Sequence, residues 1–267
     1  MKKSILLTIL CSSILFLSCS SDDENGNNGT NFEIPLNNNN YWTYDVDSEG
    51  TLSRDSLYIS GDVVFNTKTY KKFQTKDDAA TGFYSSSLRN NGVRKSDSKL
   101  LLSGDLSLAP GQNLPINLDL SLDDFVIFNS NASNNQALNN SAVTGSINET
   151  VNGYPLTINY SLQSYGGETL STFATNDVTY SNVKSTKIKL NVSITTVITV
   201  LGSPQTITAL AAQDVLVSTQ YLADGIGVVY TNTVSSYNIN SFIADEFGVP
   251  STNTQTQEEF LDTYLVN

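Results

Sequence analysis

Between Lys184 and Tyr237 apolar and polar side chains alternate over two long runs, and that alternation leaves little choice of fold. Ile188, Leu190, Val192, Ile194, Ile198 and Val200 fall on even positions, with Lys187, Lys189, Asn191, Ser193 and Thr199 between them. A period of two is the signature of a strand with one buried face. Gly202-Ser203-Pro204-Gln205 is turn chemistry, and Ile207, Ala209, Ala211, Val215, Val217 and Tyr221 then repeat the pattern on odd positions. Asp224-Gly225 turns the chain again into Val228–Ser236. Neighbouring strands joined by short turns predict an antiparallel meander.

Upstream, shorter strands are predicted at Ser56–Ile59, Asp62–Phe65, Lys68–Gln74, Gly82–Leu88, Lys99–Leu108, Ile116–Leu122 and Phe125–Phe128, with an Asn-rich loop at Asn129–Asn140. Asn152-Gly153 between Ser146–Val151 and Tyr154–Gln163 predicts a hairpin with a type I′ turn. After the last strand, Asn240 or Ser241 caps a short helix Phe242–Phe247, with Gly248 as its C′ residue. Phe260, Leu261, Tyr264 and Leu265 have helical spacing, which predicts a second small helix over Glu258–Val266. The fold class is therefore all-β: an antiparallel meander forming one large curved sheet or half-barrel with short C-terminal helices. A two-sheet β-sandwich is the alternative.

The chain opens with Met1-Lys2-Lys3 and the apolar run Ile5–Leu17, too short to span a bilayer and shaped like a secretory signal. Phe16-Leu17-Ser18-Cys19 resembles the lipobox of bacterial lipoproteins, in which the cysteine becomes the acylated first residue of the mature protein; an ordinary signal with a chance cysteine is the plainer reading. Ser21-Asp22-Asp23-Glu24 resembles the surface-export signal of Bacteroidetes lipoproteins, the alternative being an acidic linker on a periplasm-facing protein. The resemblance implies residues 1–18 as signal, an acidic and Asn/Gly-rich tether over 19–31, and a lipid-anchored position on the outer membrane facing the cell exterior. A single β-rich domain then covers 32–267, a length within the roughly 200–250 residues that large β domains reach.

Two further markers fit uncharacterised Bacteroidetes lipoproteins. One is Pro35 followed by Trp42-x-Tyr44, although Asn37–Asn40 stands where those proteins carry a glycine. The other is Tyr221-Leu222-Ala223-Asp224-Gly225-Ile226-Gly227-Val228-Val229. Together they imply a shared β scaffold and no activity. Trp42, the only tryptophan, reads as a core anchor, with a sugar-stacking platform as the alternative.

Composition limits function. The net charge is −12 and no basic run exists, which argues against nucleic acid and against electrostatic docking on anionic lipid. Of two cysteines, Cys11 lies in the leader and Cys19 carries the lipid, so the folded domain is expected to have no disulfide. The absence of histidine removes Ser-His-Asp and Cys-His catalysis and histidine-bound zinc.

The remaining motifs are short. Asp45-Val46-Asp47-Ser48-Glu49-Gly50 matches the first half of a calcium loop, with Asp45, Asp47 and Glu49 as ligands, but Ser56 stands where the bidentate glutamate belongs. A hairpin turn explains the same residues better, so no cofactor is expected. Ser96-Asp97-Ser98-Lys99 and Ser181-Asn182-Val183-Lys184 fit the Ser-x-x-Lys pattern without its companion motifs. Asp123-Asp124 and Glu258-Glu259 are adjacent carboxylates that a strand sends to opposite faces. Asp55-Ser56-Leu57 resembles the site at which Bacteroidetes O-glycosylate exported proteins, on Ser56.

Three functions remain: a non-enzymatic binding or accessory module at the cell surface, held by its lipid; a carrier of an apolar ligand in the concave face; or a carboxylate-based glycoside hydrolase.

Overall fold

The computed structural model describes residues 32–108, 118–200 and 202–267. Twelve strands form one antiparallel sheet, curved until it is nearly closed. They are β1 Tyr41–Ser48, β2 Thr51–Phe65, β3 Lys68–Thr75, β4 Gly92–Ser96, β5 Lys99–Leu108, β6 Leu118–Asn129, β7 Val143–Val151, β8 Tyr154–Thr175, β9 Val178–Val200, β10 Ser203–Ala223, β11 Gly227–Asn238 and β12 Thr252–Leu265. Spatial order runs β6-β5-β4-β3-β2-β1-β12-β11-β10-β9-β8-β7. The chain is thus two six-strand meanders joined by the first strand against the last, and residues 32–267 pack as one unit. The sandwich alternative is set aside, since every strand belongs to the same sheet.

The alternating stretch forms the long β9, β10 and β11, with Ile188, Leu190, Val192 and Ile194 buried on the inner face. Asn152 and Gly153 take positive φ of 51° and 83°, as the type I′ turn requires. Helix α2, Ser241–Phe247, carries the expected cap: Asn240 Oδ1 accepts from Phe242 N at 3.0 Å, and Gly248 closes it at φ 66°.

Two expectations are corrected. Residues 258–265 are strand, not helix. β12 pairs with β1 on one side and β11 on the other, and a bulge at Asp262 shifts its register, with Tyr44 opposite Leu261 and Trp42 opposite Tyr264. The bulge puts Leu261 and Tyr264 on one face at a spacing of three, which imitates a helix. Conversely, Phe83–Leu88 is a helix, α1, where a strand is expected over Gly82–Leu88.

The sheet's two ends are handled differently. The free edge of β6 is tied across the opening by side chains: Thr186 Oγ1 donates to the Ile127 carbonyl at 2.8 Å, Ser164 Oγ donates to the Val126 carbonyl, and Asn139 Oδ1 accepts from Val126 N at 2.8 Å. The Asn-rich loop before β7 also pairs its backbone with β8, Leu138 N donating to Ser164 O at 2.9 Å. Among the described residues the opposite end, β7, is bonded to β8 alone.

Candidate functional site

Helix α1 packs within the curved sheet, and buried polar side chains converge on its entry. Five successive backbone N–H groups are taken by three side chains from distant strands. Asp55, on β2, accepts from Thr81 N at 2.9 Å and Gly82 N at 2.8 Å, and also from the Thr81 hydroxyl at 3.0 Å. Gln257 Oε1 accepts from Phe83 N at 2.7 Å. Glu259, also on β12, accepts from Tyr84 N at 2.7 Å, Ser85 N at 3.3 Å and Ser85 Oγ at 3.1 Å. A six-residue helix cannot hold itself together in water, and its orphan donors need partners. The two strands supply them. Gly82 fits because nothing larger can: a Cβ there would stand 2.1 Å from Glu259 Oε2.

Both carboxylates are buried, Asp55 at 2% exposure and Glu259 at 1%. Burial, only partly offset by its three donors and reinforced by the nearby Asp55 charge, raises Glu259 from its ordinary 4.5 to about 7. The pair converges, yet its oxygens are occupied by the backbone of α1. That occupation serves structure rather than a proton-transfer geometry at a cleft.

α1 fills the concave face. Phe83, Tyr84, Ser87 and Leu88 meet Leu102, Leu122, Phe125, Leu162 and Ile188 around a void of about 10 Å³. A second void beside Trp42, between Phe73, Tyr84 and Val228, measures about 30 Å³. Neither exceeds the volume of a water molecule by much.

Space opens instead at the mouth of the barrel, where a groove of about 680 Å³ runs over the α1 anchor. Its walls are hydroxyl and amide: Ser53, Thr81, Ser86, Asn90, Asn91 and Gln257, with Arg89 and Asp105 at the rim and Phe65 as the one aromatic. These groups are held in place. Gln257 Nε2 donates to Ser48 Oγ at 2.9 Å and to the Thr81 carbonyl at 3.1 Å, while Asn91 Nδ2 donates to the Ser87 and Asp105 carbonyls at 2.8 and 2.9 Å.

The sequence-predicted residues fall elsewhere. Asp45-to-Gly50 is the β1–β2 hairpin, with Glu49 and Gly50 at φ 51° and 87°. The structure does not assemble its acids into a cation site. Asp45 pairs with Arg54 at 2.6 Å, Asp47 accepts from Gly50 N at 2.7 Å, and Glu49 reaches Thr256 N at 3.4 Å. Among the described residues no cluster of acidic, cysteine or histidine side chains could hold a metal ion. Ser56 sits on the outer face of β2, half-buried and paired across to Thr43, while its neighbours Asp55 and Leu57 point inward. Ser96–Lys99 is the β4–β5 turn and Ser181–Lys184 lies in β9, so neither is on a helix. Asp123 is exposed, and Asp124 instead accepts from Arg94 Nε and Nη2 at 2.8 Å and Tyr70 OH at 2.6 Å. That bidentate guanidinium holds the Asp124 carboxyl well below the usual range. Glu258 and Glu259 face opposite sides: Glu258 accepts from Tyr230 OH outside, and Glu259 is in the core. Cys19, Ser21, Asp22, Asp23, Glu24 and the 19–31 tether lie outside the described residues.

Trp42 is a core residue, 4% exposed, stacked on Phe73 at 6.0 Å and donating Nε1 to the Ile226 carbonyl at 2.7 Å. Tyr44 OH likewise donates to the Val228 carbonyl at 2.9 Å. The two sequence markers, far apart in the chain, thus bind each other, and Gly227 lies beside the indole at φ 106°, a conformation that favours glycine. The fold and site define an all-β half-barrel with a plugged interior and a polar mouth. Compared with protein-family models, curated proteins and solved structures, the chain matches none.

Proposed function

We propose that the protein is a lipid-anchored, surface-exposed binding or accessory module, without enzymatic activity, that takes a hydroxyl-rich ligand such as a glycan in the groove at the barrel mouth. The observation that carries this reading is the groove itself. A volume of about 680 Å³ falls in the range of small-molecule sites, and most of its lining residues are Ser, Thr, Asn or Gln, several of them already oriented by the fold. Such a lining suits a neutral polar ligand, because hydroxyl and amide groups held by internal bonds keep spare lone pairs and exposed donors for its hydroxyls. The carrier reading draws no support from a concave face already filled by α1. The hydrolase reading draws none from carboxylates committed to backbone donors. The anchor is proposed from the lipobox-like Phe16–Cys19 and the acidic residues after it, with the membrane as the partner on that side.

The test is a glycan array probed with the full-length chain in mild detergent, beside Thr51→Trp, which fills the groove from its exposed rim, and Asp105→Ala. A glycan retained by wild type should lose at least about tenfold in affinity in Thr51→Trp, roughly 1.4 kcal/mol, with an unchanged melting temperature. Binding indifferent to both substitutions, or no glycan bound at all, contradicts the assignment.

A further inference from the structure

The end strand β7 is built as a pairing surface, and we infer that its partner is β7 of a second copy of this chain. The Asn152-Gly153 hairpin makes Val151 and Tyr154 the pair that exchanges backbone hydrogen bonds, and the register continues without a bulge to Val143 and Leu162. The odd residues from Val143 to Val151 therefore bond to β8. Thr144, Ser146, Asn148 and Thr150 aim both backbone groups outward, where no described residue receives them. Sheet edges are ordinarily blunted by lysine, proline, a bulge or a covering loop. β6 is tied to β8 and β9 by side chains, but among the described residues β7 has none of these devices, and Glu149 is its one charge.

The strand is complementary to itself. An antiparallel β7–β7 pair centred on Ile147 sets Ile147 against its twin and Val143 against Val151, on the face where Val143 and Ile147 already join the core. Thr144 then bonds Thr150 and Ser146 bonds Asn148, which satisfies every outward backbone group of the four residues. Glu149 falls opposite Gly145, so the single charge never meets its own copy. A peptide of another protein would have no such reason to fit this order of residues. Because each chain carries a net charge of −12, the two copies repel, and added salt should tighten the pair. Tethering to a common membrane would raise the local concentration of both strands.

Sedimentation velocity on the full-length chain with Cys11→Ser and Cys19→Ser, in mild detergent, should show a dimer favoured by salt, with a Kd on the order of micromolar. Asn148→Pro removes an outward N–H and keeps the backbone bonds to β8, losing only the exposed side-chain bond from Thr157 Oγ1, and should leave a monomer with a nearly unchanged melt. Ile147→Cys should form an intermolecular disulfide on mild oxidation, whereas Thr144→Cys, which faces Thr150, should not. A wild-type monomer up to about 100 μM at high salt overturns the inference. So does a dimer that survives Asn148→Pro and fails to cross-link through Ile147→Cys.

Discussion

Replacing Asp55 by alanine is expected to destabilise the protein by about 3–5 kcal/mol, a fall in melting temperature on the order of 10 °C. The magnitude follows from what the side chain does. Its carboxylate is 2% exposed and accepts from Thr81 N, Thr81 Oγ1 and Gly82 N. Alanine leaves the Gly82 N–H facing the protein interior with no acceptor, whereas the Thr81 donors lie beside the groove and turn to water; each lost bond to a charged group costs roughly 1.5–3 kcal/mol. The loss also loosens α1, whose Phe83 and Leu88 fill the concave face. Asparagine, which keeps one acceptor oxygen, should recover part of the loss. Thermal melts followed by circular dichroism decide it: a drop below about 1 kcal/mol for Asp55→Ala would mean that α1 is not held by these bonds.

Stability should also fall as the solution is made alkaline, and Glu259 should be the cause. Its folded pKa of about 7 lies above its ordinary 4.5, so the folded chain holds this proton more tightly than the unfolded one. That contribution is fully present below about pH 4.5 and is lost as pH rises through about 7, a difference of about 3 kcal/mol. Asp124 works in the opposite direction. Its lowered pKa, set by Arg94, gives stability that is present above the ordinary carboxylate range and lost in stronger acid, so the two windows do not overlap. Urea midpoints at pH 5 and pH 8 should differ in wild type and agree in Glu259→Gln. An unchanged pH dependence in the variant would assign the effect to another group.

The strands and the trouble with the helices have the same origin. Period-two runs are local, so Ile188–Ile194 and Val228–Tyr237 could be read directly, as could the Asn152-Gly153 turn and the Asn240-to-Gly248 capping signals. α1 could not, because the acceptors that make Phe83–Leu88 helical are Asp55, Gln257 and Glu259, far away in the chain and unremarkable as letters. β12 was hidden by its own bulge at Asp262, which turns a strand's spacing into a helix's. The groove was equally invisible. Its Ser, Thr, Asn and Gln side chains are ordinary polar residues until β1, β2, β12 and the two flanks of α1 bring them to one mouth. The Trp42-x-Tyr44 and Gly225-x-Gly227 segments are far apart in sequence, and only the contact of Trp42 with Ile226 and of Tyr44 with Val228 shows why a β scaffold needs both.

The claim that α1 plugs the concave face and leaves binding to the polar mouth is tested most directly by native mass spectrometry of the Cys19→Ser chain, before and after organic extraction. The plugged interior predicts the mass of the polypeptide alone in both spectra. A reproducible added mass that extraction removes would contradict it and place an apolar ligand where α1 now lies.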